Sequence, residues 1–325
     1  MKVPDYLSEI PFFARSSRLP ATLPTPEAIE SCNRVIKEGY GRRIIQFGQH
    51  FIVKHGTRVS VMEGQNLLYV KKTEAVPIPE VYALYTKINL DGRLATYIIM
   101  EYIPGKTLEA AWPNLSFHEK HGVALQLQEH FKQLRKVPAP GYFGCFGNPP
   151  CEDSVFWTLP CDDAAQNAPL SRSSRTEHEF NQGLVEVYLE NEGSEQIAEI
   201  YECMFSEVLK NHRAVLTHAD LQKNNIILKE DKSLVVIDWE AAGWWPEYWE
   251  YSAATLAAEF SDDFLIYLTT TALDEYPSEC AWLNPMIREL WRGQRSYNLE
   301  VKKEVSAYEF CSRKPNAEWL YDLST

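Results

Sequence analysis

Leu216-Thr217-His218-Ala219-Asp220-Leu221-Gln222-Lys223-Asn224-Asn225-Ile226-Ile227-Leu228, followed by Val235-Val236-Ile237-Asp238-Trp239-Glu240, is the stretch from which the rest of the chain is read. Apolar runs on both sides predict short strands, with a loop between them that holds His218, Asp220 and Asn225. Asp238 ends the strand that follows, so a hairpin of Ile226–Leu228 with Leu234–Ile237 returns it beside Asn225. A carboxylate and an amide oxygen that meet in this way suit magnesium, a hard cation that prefers oxygen. Asp220 is left as a second carboxylate, able to accept a proton from an attacking hydroxyl. The plainer alternative is a polar turn with a capping Asp and a left-handed Asn. The placement between apolar strands, with Asp238 closing the second, argues for chemistry instead.

Upstream, the chain reads strand, strand, helix, strand, strand. Arg43–Phe47 and His50–Lys54 pair around Gly48. A helix is expected from about Ser60 to Lys72, ended by Pro77 and Pro79. Glu80–Ile88 and Leu94–Tyr102 flank Asp91-Gly92, a hairpin turn signal. After Pro104-Gly105 the pattern turns helical. Ser116 and Glu119 fit a capping box, and Val123, Leu127, Phe131 and Leu134 recur at helical spacing. Residues 138–177 read as a long surface loop, 178–212 as helical, and the part from Tyr248 onward as mostly helical with many aromatics. The fold class is therefore α+β: a small antiparallel sheet, then a mostly helical part. Three divisions follow: an N-terminal extension over 1–40, a small lobe over 41–103, and a large lobe over 104–325.

The small lobe offers partners for the loop. Phe51-Ile52-Val53-Lys54 is a strand ending in a lysine placed to pair phosphates, and Glu63 opens the next helix where it can hold that lysine. No Gly-x-Gly-x-x-Gly is present. Gly39-Tyr40-Gly41 and Gly48 are the candidates for a phosphate-covering turn, and Gly48, between two strands, is preferred. Met100-Glu101-Tyr102-Ile103-Pro104-Gly105 ends a strand at the break between lobes, where an adenine would meet the backbone of Glu101 and Ile103.

These residues resemble the aminoglycoside phosphotransferase family, a group of protein-kinase-like small-molecule kinases, and its fungal branch most closely. The phrases that carry the resemblance are FIVKHG (51–56), YIIMEYIPGKTLEAAW (97–112), LTHADLQKNNIIL (216–228) and IDWEAAGWWPEYWEY (237–251), and it runs from about residue 42 to 290. It implies a bilobal protein-kinase-like fold with ATP and Mg2+ as cofactors. By position, Asp220 would be the catalytic base, Asn225 and Asp238 the magnesium ligands, Lys54 the phosphate-pairing lysine with Glu63 as its partner, and His218 a structural brace. One departure stands out: the family carries Gly where this chain has Ala219, a change tolerated if the backbone there is not left-handed. A pseudokinase that binds nucleotide without turnover is the alternative reading. A protein kinase is disfavoured, because Trp-Glu follows Asp238 and no Ala-Pro-Glu comes after it.

Composition narrows the partners. The chain has 325 residues, 32 basic against 45 acidic, for a net charge of −13. That balance disfavours nucleic acid and anionic lipid surfaces, and no apolar run approaches the length of a membrane span. Seven cysteines, odd in number and without Cys-x-x-Cys, suggest reduced thiols in a cytoplasmic protein rather than disulfides or zinc. Between Glu240 and Glu275 lie eight acids (Glu240, Glu247, Glu250, Glu259, Asp262, Asp263, Asp274 and Glu275) and no Lys or Arg. The same region holds Trp239, Trp244, Trp245, Tyr248, Trp249 and Tyr251. Acids and aromatic faces together suggest a small cationic acceptor, an amino-alcohol or aminosugar bearing a hydroxyl.

Overall fold

The computed structural model of the chain describes residues 10–39, 41–89, 91–147, 173–191, 193–258 and 262–290. Its N-terminal part is a six-stranded antiparallel sheet in the order β1-β5-β6-β4-β3-β2. The strands are β1 (Phe12–Phe13), β2 (Val35–Gly39), β3 (Arg42–Phe47), β4 (Phe51–Gly56), β5 (Val81–Ile88) and β6 (Leu94–Glu101). The β5–β6 turn forms where the sequence predicts it: the Asn89 side chain accepts from the amides of Asp91 and Arg93, at 3.1 and 2.9 Å, and Gly92 takes φ +76°.

Residues 10–39 are part of the small lobe rather than an extension from it. Both β1 and β2 lie in the sheet, and a short helix α1 (Pro26–Glu30) buries Ile29 beneath it. The sequence hid this because β2 is exposed along its whole length and shows no alternation of apolar and polar residues.

Helix α2 (Val61–Thr73) follows β4. The Ser60 hydroxyl caps it by accepting from the Met62 amide at 3.0 Å. A Cβ at Gly64 would lie 2.6 Å from Leu84 Cδ1, so the missing side chain is what lets α2 rest on β5. The helix is buried on most sides, and the Asn66 amide donates to Trp239 O at 2.8 Å. That bond ties α2 to the segment just after Asp238.

Beyond residue 104 the chain is mainly helical. In order come β7 (Lys106–Thr107), α3 (Leu108–Ala111), α4 (Phe117–Leu134), β8 (Gly144–Cys145), α5 (Glu177–Glu190), α6 (Glu195–Val208), β9 (Ala214–Thr217), β10 (Ile226–Leu228), β11 (Leu234–Val236), β12 (Gly243–Pro246), α7 (Trp249–Ala257), α8 (Phe264–Tyr267) and a helix α9 over residues 277–290. The capping box at Ser116 and Glu119 is formed, and Val123, Leu127, Phe131 and Leu134 face the core. Most of the long loop expected over 138–177 lies outside the described residues. Strand β10 pairs with β11 and with β7, which holds the hairpin to the lobe junction. One buried apolar cluster runs from Leu67, Val70 and Ile98 through Trp112 and Leu127 to Ile226, Val236 and Trp244, so the two parts share a core.

Candidate active site

The backbone before Asp220 is gripped from three sides. Strand β9 delivers Leu216, whose carbonyl accepts from Arg135 Nη1 at 2.6 Å. Glu250 of α7, only 1% exposed, accepts from the amides of His218 at 2.8 Å and Ala219 at 3.2 Å. The fully buried His218 ring accepts from the Asp220 amide at Nδ1 (3.2 Å) and donates from Nε2 to Ile237 O (3.0 Å). Its tautomer is thereby fixed, and the loop is pinned to the residue before Asp238. Ala219 has φ +67°, inside the left-handed region. The condition under which a methyl group would sit there freely is not met, and the conformation costs about 1 kcal/mol. The two amide bonds to Glu250 hold it in place.

Asp220 receives a hydrogen bond on each carboxylate oxygen. Asn225 Nδ2 donates to Oδ2 at 2.8 Å, and Gln222 Nε2 donates to Oδ1. With its nitrogen turned to Asp220, the Asn225 amide leaves its oxygen facing the other way. The Ile237 amide donates to Asn225 O at 2.9 Å, which sets Asn225 beside the Ile237–Asp238 step. Burial pushes the Asp220 carboxyl above the usual range, against the hydrogen bonds from Gln222 and Asn225.

Across the lobe junction, Lys54 Nζ lies 2.6 Å from Glu63, 2.9 Å from Asp238 and 3.3 Å from Glu240. Lys54 and Glu63 are both nearly inaccessible. Burial would lower the Lys54 pKa, but the three carboxylates, Glu63 foremost, raise it overall. Burial would raise that of Asp238, but Lys54 holds it below the ordinary value. Glu63 goes up through burial, which outweighs the pull of Lys54. Three carboxylates surround one ammonium, so Lys54 keeps its charge and any proton the cluster takes up resides on the acids.

One oxygen from each of Glu63, Asp238 and Glu240 lies within 4.8 Å of the others, the one such group of potential metal ligands among the described residues. The Lys54 ammonium is the cation these three oxygens share here, and the ionised Asp238, the closest of them to Asn225 in the fold, is the member that fits magnesium. Sequence reasoning placed Glu240 and Glu250 on an acceptor face rather than at this cluster and loop, and passed over Arg135 and Gln222. Glu240 carried a signal, an acid two residues beyond Asp238. Glu250 carried another, a lone acid in the apolar run Trp249–Ala254.

The remaining candidates fall at two places. Glu101 ends β6 and is tied to Glu80: its amide donates to Glu80 O at 2.8 Å, and its carboxylate accepts from the Glu80 amide at 3.1 Å. The Tyr102 amide donates to His50 O, and the amide of Ile103 has no partner among the described residues. Gly48 lies in the β3–β4 turn, φ +62°, next to the Phe51–Glu101 pair. Lys54 sits farther along β4, opposite Ile44 and Ile98. Gly48 is therefore not brought to the charged cluster. The turn that approaches it is the one between β2 and β3, flanked by Gly39 and Gly41, because Arg42 reaches Glu240.

Of the aromatic residues expected to line an acid-and-aromatic face downstream, only Tyr251 is partly accessible. Trp239, Trp244, Trp245, Tyr248 and Trp249 are all within 4% of complete burial. Most of the acids are engaged: Glu247 with Arg213, Glu250 with the loop amides, Asp262 with Lys223, and Asp263 with Lys120. Glu259 lies outside the described residues. Beside the catalytic loop there is a cavity of about 110 Å³ whose lining includes Glu109, Gln222, Lys223, Asn224 and Asp262.

A family model described as APH, phosphotransferase enzyme family, matches residues 13–282. No protein of curated function matches the chain. Among solved structures, a thermostable mutant of aminoglycoside phosphotransferase APH(4)-Ia in apo form is similar at TM-score 0.53 and 17% identity, covering 86% of this chain and 94% of its own. The GDP complex of wild-type aminoglycoside 2'-phosphotransferase-IIIa gives 0.51 and 15%, covering 85% and 92%. The GDP and kanamycin complex of APH(2")-IIia gives 0.50 and 15%, covering 85% and 91%. At these identities the likeness concerns the fold, which is the bilobal protein-kinase-like one.

Proposed function

The chain belongs to the phosphotransferase enzyme family, and from that premise we propose that it transfers the γ-phosphate of ATP to a hydroxyl of a small molecule. The observation that carries the reading is the Lys54–Glu63–Asp238 contact between the lobes, with Asp220 and Asn225 tied to the Ile237–Asp238 step that follows β11. The nucleotide lobe in this reading runs from β1 to about residue 103, and the acceptor meets the helices beyond 104.

Each residue has a physical task. Lys54, kept cationic and oriented by Glu63, pairs the nucleotide's phosphates. The free amide of Ile103 and the Glu101 backbone receive the adenine. Asp238, Asn225 and Glu240 would hold magnesium, which when bound neutralises charge gathering on the leaving phosphate. Asp220, with a raised pKa, orients the acceptor hydroxyl and takes its proton. His218 and Glu250 keep Asp220 in place. Catalysis is then mainly positioning and electrostatics.

We carry forward a cationic acceptor on a narrower basis than the sequence offered. The five buried aromatic residues, Trp239, Trp244, Trp245, Tyr248 and Trp249, do not support it. The acids Glu109 and Asp262 beside the catalytic loop do, as does the kanamycin bound by a protein of the same fold. The odd count of seven cysteines without Cys-x-x-Cys agrees with a cytoplasmic setting. A pseudokinase is the second reading, and the strained Ala219 favours it.

The test is ADP release by the full-length protein with ATP and magnesium, over a panel of amino-alcohols, aminosugars, aminoglycosides and neutral sugars, with Asp220→Asn as control. Acceptor-dependent turnover that vanishes in the variant is the expected result. If no acceptor works but Mg-ATP raises the melting temperature, the pseudokinase reading takes over. If Mg-ATP does not stabilise the protein, the roles given to Lys54, Asn225 and Asp238 fall.

A further inference from the structure

We infer that Arg42 is a second phosphate-binding cation of the cleft, delivered by the β2–β3 hairpin where a fuller glycine-rich loop is lacking, and that Glu240 holds its place in the nucleotide-free protein. The inference rests on the kinase reading above and deepens it.

The root of the hairpin is firmly placed. Gly39 pairs with Arg42, and Gly41 between them turns the chain at φ +73°. The Arg58 amide donates to Gly41 O at 3.0 Å. A Cβ at Gly56 of β4 would lie 2.0 Å from that same carbonyl, so the hairpin rests directly on the backbone of the strand that carries Lys54. The origin of the Arg42 side chain is therefore fixed relative to Lys54.

Its direction is fixed too. Arg42 Nη1 lies 3.3 Å from Glu240 Oε2, and Lys54 Nζ lies 3.3 Å from the same oxygen. The two cations of the cleft thus share one carboxylate, and Asp238 and Glu63 also contact Lys54. The adjacent Arg43 points the other way, as strand alternation requires, and donates to Glu30 O at 2.8 Å and Cys32 O at 2.9 Å. Of the two arginines, only Arg42 enters the cleft.

The chemistry matches what the hairpin lacks. Two glycines present fewer close backbone amides than a three-glycine loop. A guanidinium compensates with a planar fork of donors that binds a phosphate through two oxygens. Arg42 is 37% exposed and Glu240 34% exposed. An ion pair this open is weakly held, so a polyphosphate carrying several charges displaces Glu240 from it. Arg42 then turns its guanidinium from Glu240 onto the phosphates.

The test is calorimetric titration of the full-length protein with Mg-ATP, Mg-ADP and adenosine, none of which requires the acceptor. Arg42→Ala should weaken Mg-ATP by about tenfold or more and Mg-ADP by less, and leave adenosine unchanged. Arg42→Lys should recover part of the loss, because charge returns without the fork. Should the alanine variant prove unstable, Arg42→Gln, of similar reach but uncharged, removes the same charge and is titrated in its place. Wild-type affinity for Mg-ATP in folded Arg42→Ala or Arg42→Gln protein overturns the inference and leaves the kinase reading standing. A wild-type protein that is folded but takes up no Mg-ATP overturns both.

Discussion

Two neighbouring stretches, 218–240 and 241–251, both carry acidic side chains, and the fold sends them to opposite places. In the first, Asp220, Asp238 and Glu240 reach the cleft between the lobes. In the second, Glu250 is buried against loop amides, and Trp244, Trp245, Tyr248 and Trp249 are sealed in the core. The difference lies in the backbone. A loop between short strands must turn its polar groups outward or against one another. Strand β12 lies between β8 and β9, so both of its edges are paired, and a buried apolar cluster covers each of its faces. Trp244 packs into the cluster shared by the lobes, whereas Trp245, one residue on, packs into a second cluster with Phe180, Leu184 and Met286. Strand alternation makes β12 the partition between two cores.

The largest expected effect tests the first stretch. Asp220→Asn should lower acceptor-dependent turnover by roughly 10²–10⁴-fold, measured as ADP release. The same substitution should change how stability depends on pH. The folded pKa of Asp220 is raised by burial, so its contribution is complete below the ordinary aspartate value and is lost as pH rises through the raised one. Asp238 has the opposite sign: its contribution is present above the ordinary value and is lost only as pH falls through the lowered one. Urea midpoints measured from pH 3 to 8 should therefore show Asp220→Asn gaining on the wild type as pH rises. Parallel curves would sink the burial argument.

The second stretch should respond in stability alone. Trp244→Ala should cost about 3–5 kcal/mol, read from urea unfolding, while the Mg-ATP affinity of the folded fraction stays at the wild-type value. A loss of affinity without a loss of stability would return the aromatic residues to the site and undo the contrast.

The same contrast explains what the sequence reveals unaided. His218, Asp220, Asn225 and Asp238 are legible because fixed spacing in a loop between strands leaves few arrangements. Four strands of the small sheet, β3 to β6, are legible from alternation and from the Asp91-Gly92 turn. The burial of the tryptophans is not, because composition gives no information about which side of a strand faces a neighbour. Gly48 looks a better turn than Gly39 and Gly41 because β2, exposed along its length, gives no strand signal, and the hairpin it forms with β3 is invisible without one. Glu240 and Arg42 meet across 198 residues of chain, a pairing that no local pattern encodes.

Glu250 joins the two stretches, so its loss should register in both measurements. Glu250→Gln keeps one acceptor but turns an amide nitrogen toward a backbone N–H. The expected cost is about 2–3 kcal/mol of stability, with turnover falling as well because the His218–Asp220 backbone loosens. Unchanged turnover at reduced stability would show that the loop holds its shape through His218 and Arg135 alone.

The smallest effect lies at Ala219, between the anchor and the base. Its φ of +67° places a methyl group where glycine sits without strain. Ala219→Gly relieves that strain in the folded state and adds freedom to the unfolded chain, and these effects oppose each other. The relief, about 1 kcal/mol, exceeds or matches the added freedom, so urea unfolding should find the variant as stable as the wild type or up to about 1 kcal/mol more so. Turnover discriminates further. If Glu250 alone sets the loop, through its bonds to the amides of residues 218 and 219, those bonds survive the substitution and turnover stays at the wild-type level. A rise in turnover would mean instead that the methyl group holds Asp220 away from its working position, and that the strain at Ala219 restrains catalysis in this chain.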